Sequence, residues 1–162
     1  MTITKRSELS VRHSSSIALT INDPLLFIRE QSRSMFPDGV VSGSVLMSNI
    51  AFGAAALGAG HVEICNSGDW WFAASETNWL ECDLSENASV EELFKSRVRF
   101  PKLGPSSYRP ELYVGAFAEA IYLDLDGRYI SIKGEIPDTR PHEGVVPPWC
   151  VYVLSCFVRT TN

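Results

Sequence analysis

The chain has 162 residues, of which 45% are hydrophobic and 20% charged, a composition typical of a folded domain rather than of a disordered chain. Its formal net charge of −5 disfavours non-specific binding to nucleic acid, which needs Lys and Arg at the phosphates, and suits a basic protein partner. Residues 1–16 lack the apolar segment of a secretory signal, and VLMSNIAFGAAALGAG is too short to span a bilayer. We therefore expect one cytoplasmic domain over 1–162, loosely ordered at 1–12 and without a membrane contact.

The N-terminal part predicts a strand, a helix and an ambiguous small-residue segment. SIALTI, residues 16–21, is apolar and β-branched, which favours a strand. NDPLLFIREQSRSM follows, with Asp23 as the helix cap and Pro24 at the first helical position. FPDG, residues 36–39, is a turn. VVSGSVLMSNIAFGAAALGAG predicts either a strand and a helix or two strands around a corner, because its glycines disfavour one long helix.

The middle of the chain predicts a hairpin and two further helices. HVEIC and WWFAAS flank the turn NSGD, as the two strands of a hairpin do. SVEELFKSRVRF begins with a capping box formed by Ser89 and Glu92. Pro110 opens the last helix, PELYVGAFAEAI, in which the helix dipole favours Glu111 near the start. Arg109, just before it, is a candidate partner for a buried acid.

The C-terminal part predicts the rest of a sheet. Asp126-Gly127 is a favoured turn between two alternating strands, and residues 134–148, with four prolines, form an extended loop. WCVYVLSCFVR is almost continuously apolar, which is typical of a central strand, and its spacing places Cys150 and Cys156 on one face. The cysteines are expected to be reduced. These patterns predict an α+β fold: a single domain with a mainly antiparallel sheet and about three helices.

The sequence lacks the motifs of metal, nucleotide and nucleophile chemistry. It contains no HExxH and no CxxC pair, so no metal site and no cofactor are expected. GAAALGAG does not follow a dinucleotide-binding fingerprint. His61 and Cys65 would share a strand face but lie roughly 13 Å apart along it, too far for a nucleophile and its base. We therefore expect no catalytic residue, although an enzyme is not excluded.

Three of the four tryptophans lie within residues 65–82, close to several carboxylates. Strand alternation puts Trp70 and Phe72 on one face and Trp71 on the other. Two readings stay open, since the face of Trp71 is either covered by a helix or exposed to a partner. In the second reading, tryptophans act as interface anchors and carboxylates steer a basic partner. The candidate partner-binding residues are Asp69, Trp71, Glu76 and Trp79.

Two stretches, GDWWFAASETNWL (68–80) and FPKLGPSSYRPELYVGAFAEAI (100–121), resemble segments of bacterial immunity proteins. Such proteins are encoded in polymorphic-toxin and contact-dependent growth inhibition loci, and the two stretches cover about a fifth of the chain. The resemblance implies a single-domain cytosolic α+β protein that binds and neutralises a cognate toxin. Many immunity proteins against nucleases are acidic, as this chain is, but the resemblance assigns no contact residue.

The leading hypothesis is therefore a non-enzymatic inhibitor that covers the basic cleft of a cognate protein toxin. A second hypothesis is a small-molecule-binding domain or small hydrolase with a pocket between the sheet and helix 110–121. A third is a structural homo-oligomer with the aromatic hairpin at its interface. The sequence leaves open the partner, the oligomeric state, the strand order and the face of the 70–75 strand that meets water.

Overall fold

Five antiparallel strands form one sheet in the computed structural model, which describes residues 23–31, 34 and 36–160. The strands are β1 (Glu63–Ser67), β2 (Trp70–Ser75), β3 (Ala120–Leu125), β4 (Arg128–Lys133) and β5 (Tyr152–Phe157). Their order across the sheet is β1–β2–β5–β3–β4, so two hairpins flank the last strand. The predicted strand over 16–21 and the terminus 1–12 lie outside the described residues.

Both predicted hairpins and the central strand are confirmed. Gly68 and Asp69 turn β1 into β2, and Asp126 and Gly127 turn β3 into β4. The backbone φ angles of Asp126 and Gly127 are 54° and 86°, the positive values that a tight hairpin turn requires. β5 pairs with β2 on one side and with β3 on the other. Its apolar character follows, because both faces of a central strand can be covered.

Three α-helices complete the described part of this single α+β domain: α1 (Pro24–Glu30), α2 (Gly43–Ala56) and α3 (Glu111–Phe117). The cap of α1 is confirmed, because the Asp23 carboxylate accepts the backbone N–H groups of Leu25 and Leu26 at 3.0 and 3.2 Å. Among the described residues, no helix combines the length and the hydropathy needed to cross a membrane.

Helix α2 decides between the two alternatives for this segment in favour of the helix, although residues 40–42, just before it, form no strand. It is continuous over 14 residues and begins at the cap Ser42, whose hydroxyl accepts the N–H of Val45. Its glycines are explained by packing, since a Cβ at Gly43 would overlap the indole ring of Trp71. Gly53 likewise faces the ring of Pro110. The glycines therefore allow close contact with neighbouring elements instead of ending the helix.

The other two predicted helices are shorter than expected. Residues Val90–Phe94 form a 3₁₀ turn, and Ser89 makes no side-chain cap. Helix α3 ends at Phe117, because Ala120 onwards pairs with β5 instead. The 3₁₀ turn packs so closely on α3 that a Cβ at Gly115 would overlap the carbonyl of Phe94. Tertiary packing and sheet pairing thus override the local helix signals in both segments.

The two faces of the sheet have different covers. On the helix-side face, Trp71, Ala73, Leu154 and Cys156 join the main core with α2. On the loop-side face, a smaller cluster of Phe72, Ala74, Cys150 and Val153 lies beneath residues of the 134–150 loop. The prediction that Cys150 and Cys156 share a face is therefore wrong. Cys150 precedes the start of β5, so strand alternation does not apply to it. All four cysteines are unpaired thiols.

Candidate functional site

A cleft of about 590 Å³ opens where the β3–β4 turn meets the loop that precedes β5. This volume lies in the range of ordinary ligand and peptide pockets. Its buried lining residues are His142, Cys150 and Val153. Its exposed lining residues include Asp126, Glu143, Val145 and Val151. We call it the acidic cleft.

The acidic cleft carries an excess of negative charge. Asp124, Asp126 and Glu143 line it, and its lining residues include neither Lys nor Arg. Arg140 lies beside it, with its guanidinium 3.5 Å from the Glu143 carboxylate and 4.1 Å from the centre of the Tyr129 ring. One neighbouring cation does not balance three carboxylates, so the cleft attracts positive groups. No group of three or more His, Cys, Asp or Glu in the described part of the chain is arranged to hold a metal ion.

A chain of polar side chains fixes the inner wall of the acidic cleft. The Tyr122 hydroxyl lies 2.7 Å from Nδ1 of His142, and Nε2 of His142 lies 3.3 Å from the Asp124 carboxylate. The other oxygen of Asp124 accepts the N–H of Gly127 at 2.8 Å. Burial raises the pKa of Tyr122, an effect that the neighbouring Ser155 hydroxyl partly offsets. The chain therefore ties the loop to strand β3 and to its turn.

The partners of His142 indicate how its ring is used. We assign the Tyr122 hydroxyl as the donor to Nδ1, and in this assignment the ring proton lies on Nε2 and faces the Asp124 carboxylate. His142 is only 6% exposed and Tyr122 only 1%. Nδ1 faces the buried Tyr122 hydroxyl and not the open cleft, so it has little access to a molecule bound there. This arrangement suits a loop anchor better than a general base.

The anchor makes a testable contribution to stability. We expect His142→Leu to lower the free energy of unfolding by about 1–3 kcal/mol, because it leaves the buried Tyr122 hydroxyl without its partner. Adding Tyr122→Phe removes that hydroxyl and should recover part of the loss. Urea denaturation of both single variants and the double variant measures the coupling. Purely additive losses would contradict the anchor.

The buried cysteines are poor nucleophiles. Burial raises the pKa of Cys150 to about 11 and that of Cys156 to about 12. Burial, followed by the charge of Glu63, also raises the pKa of Cys65. A thiol attacks as its thiolate, so these three stay in the unreactive form near neutral pH.

The predicted partner-binding residues do not form one surface. Asp69 and Trp71 lie close to the same end of the sheet, and Trp71 lines a small groove of about 130 Å³ with Thr160. The Asp69 carboxylate accepts the backbone N–H of Thr160 at 3.3 Å and its hydroxyl at 2.7 Å. Glu76 follows the opposite end of β2 and is exposed. A length of strand thus separates Glu76 from the other two.

Trp79 requires a correction, because it is 0% exposed and lies in the main core. Trp71 is half-buried, since α2 covers its face of the sheet and Gly43 touches its indole ring. The alternation of Trp70 and Phe72 against Trp71 is confirmed by their places on the loop-side and helix-side faces. The open question about the 70–75 strand is therefore resolved in favour of a covered face.

The acidic cleft also differs in place from the pocket expected between the sheet and helix 110–121. Buried Val114 and Ala118 of that segment belong to the main core. A cleft of about 430 Å³ does reach Pro110 and Tyr113, but its other walls come from α1, α2, Phe36 and the loop over 103–108, and not from the sheet. The acidic cleft lies on the loop-side face instead.

Sequence reasoning missed Asp124 and His142 as site residues. Asp124 lies just before the Asp126-Gly127 turn, and His142 lies in the loop over 134–148, and neither position indicates a site by itself. Eighteen residues separate them, and only the path of the loop over β3 brings them within 3.3 Å. The available signal was the prolines, which favour a fixed loop, next to the adjacent acids. Comparison of this chain with protein-family models, curated proteins and solved structures found no match.

Proposed function

We propose that this protein is a non-enzymatic inhibitor that binds and occludes a basic protein partner in the bacterial cytoplasm. Its concrete form would be an immunity protein bound to its cognate toxin. The observation that carries the proposal is the acidic cleft, an open site with three carboxylates and no Lys or Arg in its lining. Such a charge pattern steers a basic partner and rejects acidic ones.

The rim of the acidic cleft supports a protein partner. Trp149 is 46% exposed and is next in the chain to the lining residues Pro148 and Cys150, while its ring lies 5.0 Å from the ring of His61. The exposed side chains of Val145 and Val151 add apolar surface to it. Exposed apolar side chains beside carboxylates, with an exposed tryptophan close by in the chain, are the composition of an interface hot spot with a charged rim.

The proposed contact surface therefore moves from the candidates near Trp71 to the acidic cleft. The two lie on opposite faces of the sheet, so one compact partner would not cover both. Inhibition would follow from occlusion, because the acidic cleft covers basic residues that the toxin needs for its substrate. A hydrolase would need a base that reaches its substrate, and the burial of His142 with Nδ1 against the Tyr122 hydroxyl disfavours that alternative.

A tagged pull-down from the native host, analysed by mass spectrometry at low and moderate salt, tests the proposal. We expect a stoichiometric basic partner that salt releases. Asp126→Asn with Glu143→Gln should weaken its affinity by roughly tenfold to a hundredfold, because both changes remove charge that faces the partner. Asparagine tolerates the positive φ of residue 126, so the turn should persist.

The matched control is Glu30→Gln with Glu86→Gln, which changes the net charge equally at two exposed positions outside the acidic cleft. This control should keep the affinity of the unmodified protein within about threefold. Equal weakening by both pairs would contradict the acidic cleft as the contact site. A partnerless monomer in light scattering and pull-down would contradict the inhibitor itself, and a stable dimer would favour the homo-oligomer.

A further inference from the structure

We propose that the acidic cleft receives an arginine-bearing segment of the partner, and that Arg140 pairs with the Glu143 carboxylate until the partner arrives. This inference rests on the proposed function and specifies the chemistry of its contact. The occupant would place a guanidinium between Asp126 and Glu143 and apolar neighbours against the cleft walls. The lining is apolar apart from its acids, His142 and glycines: Val145, Val146, Pro147, Pro148, Cys150, Val151 and Val153.

The three carboxylates are not equally available to a ligand. Asp124 is largely buried, and its oxygens already face the N–H of Gly127 and the ring of His142. Asp126 is exposed, and the side chain of Glu143 is half-exposed with Arg140 at 3.5 Å. Asp126 and Glu143 therefore supply the charge that a partner meets, whereas Asp124 supports the wall behind them.

Arg140 indicates which cation this rim accommodates. Its guanidinium lies 4.1 Å from the centre of the Tyr129 ring and 3.5 Å from the Glu143 carboxylate. A planar cation between an aromatic face and a carboxylate is the arrangement that suits arginine. The rim of the cleft therefore already contains the contacts that a guanidinium needs, and the chain itself makes them.

The contact of Arg140 with Glu143 is suited to exchange. Both side chains are about half exposed, and ion pairs of this kind add little net stability. Arg140 also has a positive φ of 43°, which arginine rarely adopts. A partner arginine that meets two carboxylates would compete well against one weak internal contact. Arg140 then acts as a mild internal competitor.

Arginine fits better than lysine for geometric reasons. The guanidinium bonds two carboxylate oxygens at once, whereas the lysine ammonium acts as a compact point charge. The aliphatic stem of either residue would lie on Val145 and Val151, which are exposed at the cleft. The cleft volume of about 590 Å³ leaves room for flanking residues, so the occupant is a segment and not a lone side chain.

Peptides test the site without the natural partner. The probes are acetyl-Gly-Val-Arg-Val-Gly-amide and two analogues in which citrulline or lysine replaces the arginine. Amide and indole signals of Gly127, Gly144 and Trp149 would be followed by NMR during titration of the full chain. We expect the arginine peptide to bind on the order of tenfold more tightly than the neutral citrulline peptide. The lysine peptide should lie between them.

Two kinds of variant distinguish binding at this site from the general attraction of a cationic peptide to an acidic protein. Asp126→Asn with Glu143→Gln should abolish the preference for arginine over citrulline. Arg140→Gln should strengthen arginine binding by about threefold, because it frees Glu143. Arg159→Gln is its matched control, since Arg159 is an exposed arginine that pairs with Glu119 outside the cleft. This control should leave peptide binding unchanged.

The outcomes distinguish this inference from the proposed function. Equal binding of the arginine and citrulline peptides, or equal effects of Arg140→Gln and Arg159→Gln, would overturn the guanidinium site. Cleft-dependent capture of a partner in the same experiments would leave the inhibitor function intact. Conversely, a preference for the arginine peptide over the citrulline peptide, without any partner in the host, would support the guanidinium site and contradict the inhibitor function.

Discussion

Arg109→Met is expected to lower the free energy of unfolding by about 3–5 kcal/mol, the cost of breaking a buried ion pair. Arg109 and Glu111 are 2% and 1% exposed. The guanidinium meets both carboxylate oxygens of Glu111, at 3.1 and 3.0 Å. It also donates to the backbone carbonyls of Cys82 at 3.0 Å and Trp79 at 3.3 Å. Methionine would leave a buried carboxylate without a partner and two carbonyls without a donor.

Urea denaturation of three proteins tests this cost: Arg109→Met, Glu111→Leu and the double variant. The double variant removes both charges, so its loss of free energy of unfolding should be smaller than the sum of the two single losses. It should still be less stable than the unmodified protein, because the carbonyls of Trp79 and Cys82 lose their donor in either case. If the two single losses simply add up in the double variant, Arg109 and Glu111 are not coupled, which would contradict their buried ion pair.

The pair also illustrates how far local reasoning extends. Arg109 was a candidate partner for a buried acid, and that acid is Glu111, only two residues away. Glu111 itself was expected near the start of its helix because of the helix dipole, which does not predict its burial. Its burial follows from the 3₁₀ turn over 90–94, which packs on α3, and from the pairing with Arg109, and no pattern within the helix indicates these contacts.

Elements defined by adjacent residues were predictable from the sequence, and contacts between distant residues were not. The two hairpins follow from strand alternation and short turns, and the α1 cap follows from Asp23 and Pro24. Helix α2 was only one of two alternatives, because the glycines of its segment disfavour a long helix. The structure explains Gly43 by the indole of Trp71, 28 residues later. The acidic cleft was missed because its wall depends on contacts between β3 and the loop.

Trp79→Ala is expected to lower the free energy of unfolding by about 3–5 kcal/mol through the cavity that it leaves in the core. Trp79 is 0% exposed, and its indole N–H has no hydrogen-bond partner among the described residues, so the loss comes from packing. Thermal or urea unfolding monitored by circular dichroism measures it. The smaller substitution Trp79→Phe fills most of the space and should recover a large part of the stability.

Trp149→Ala is the matched control, because it makes the same change at a tryptophan that is 46% exposed. Its loss of stability should be within about 1 kcal/mol, since it removes little buried surface. Its partner affinity should instead fall by about 2 kcal/mol, as expected of an aromatic anchor. Equal destabilisation by the two substitutions would place Trp149 in the fold rather than in the interface. Stability lost at Trp79 together with affinity lost at Trp149 would instead place Trp149, the chain neighbour of two cleft-lining residues, at the surface that meets the partner.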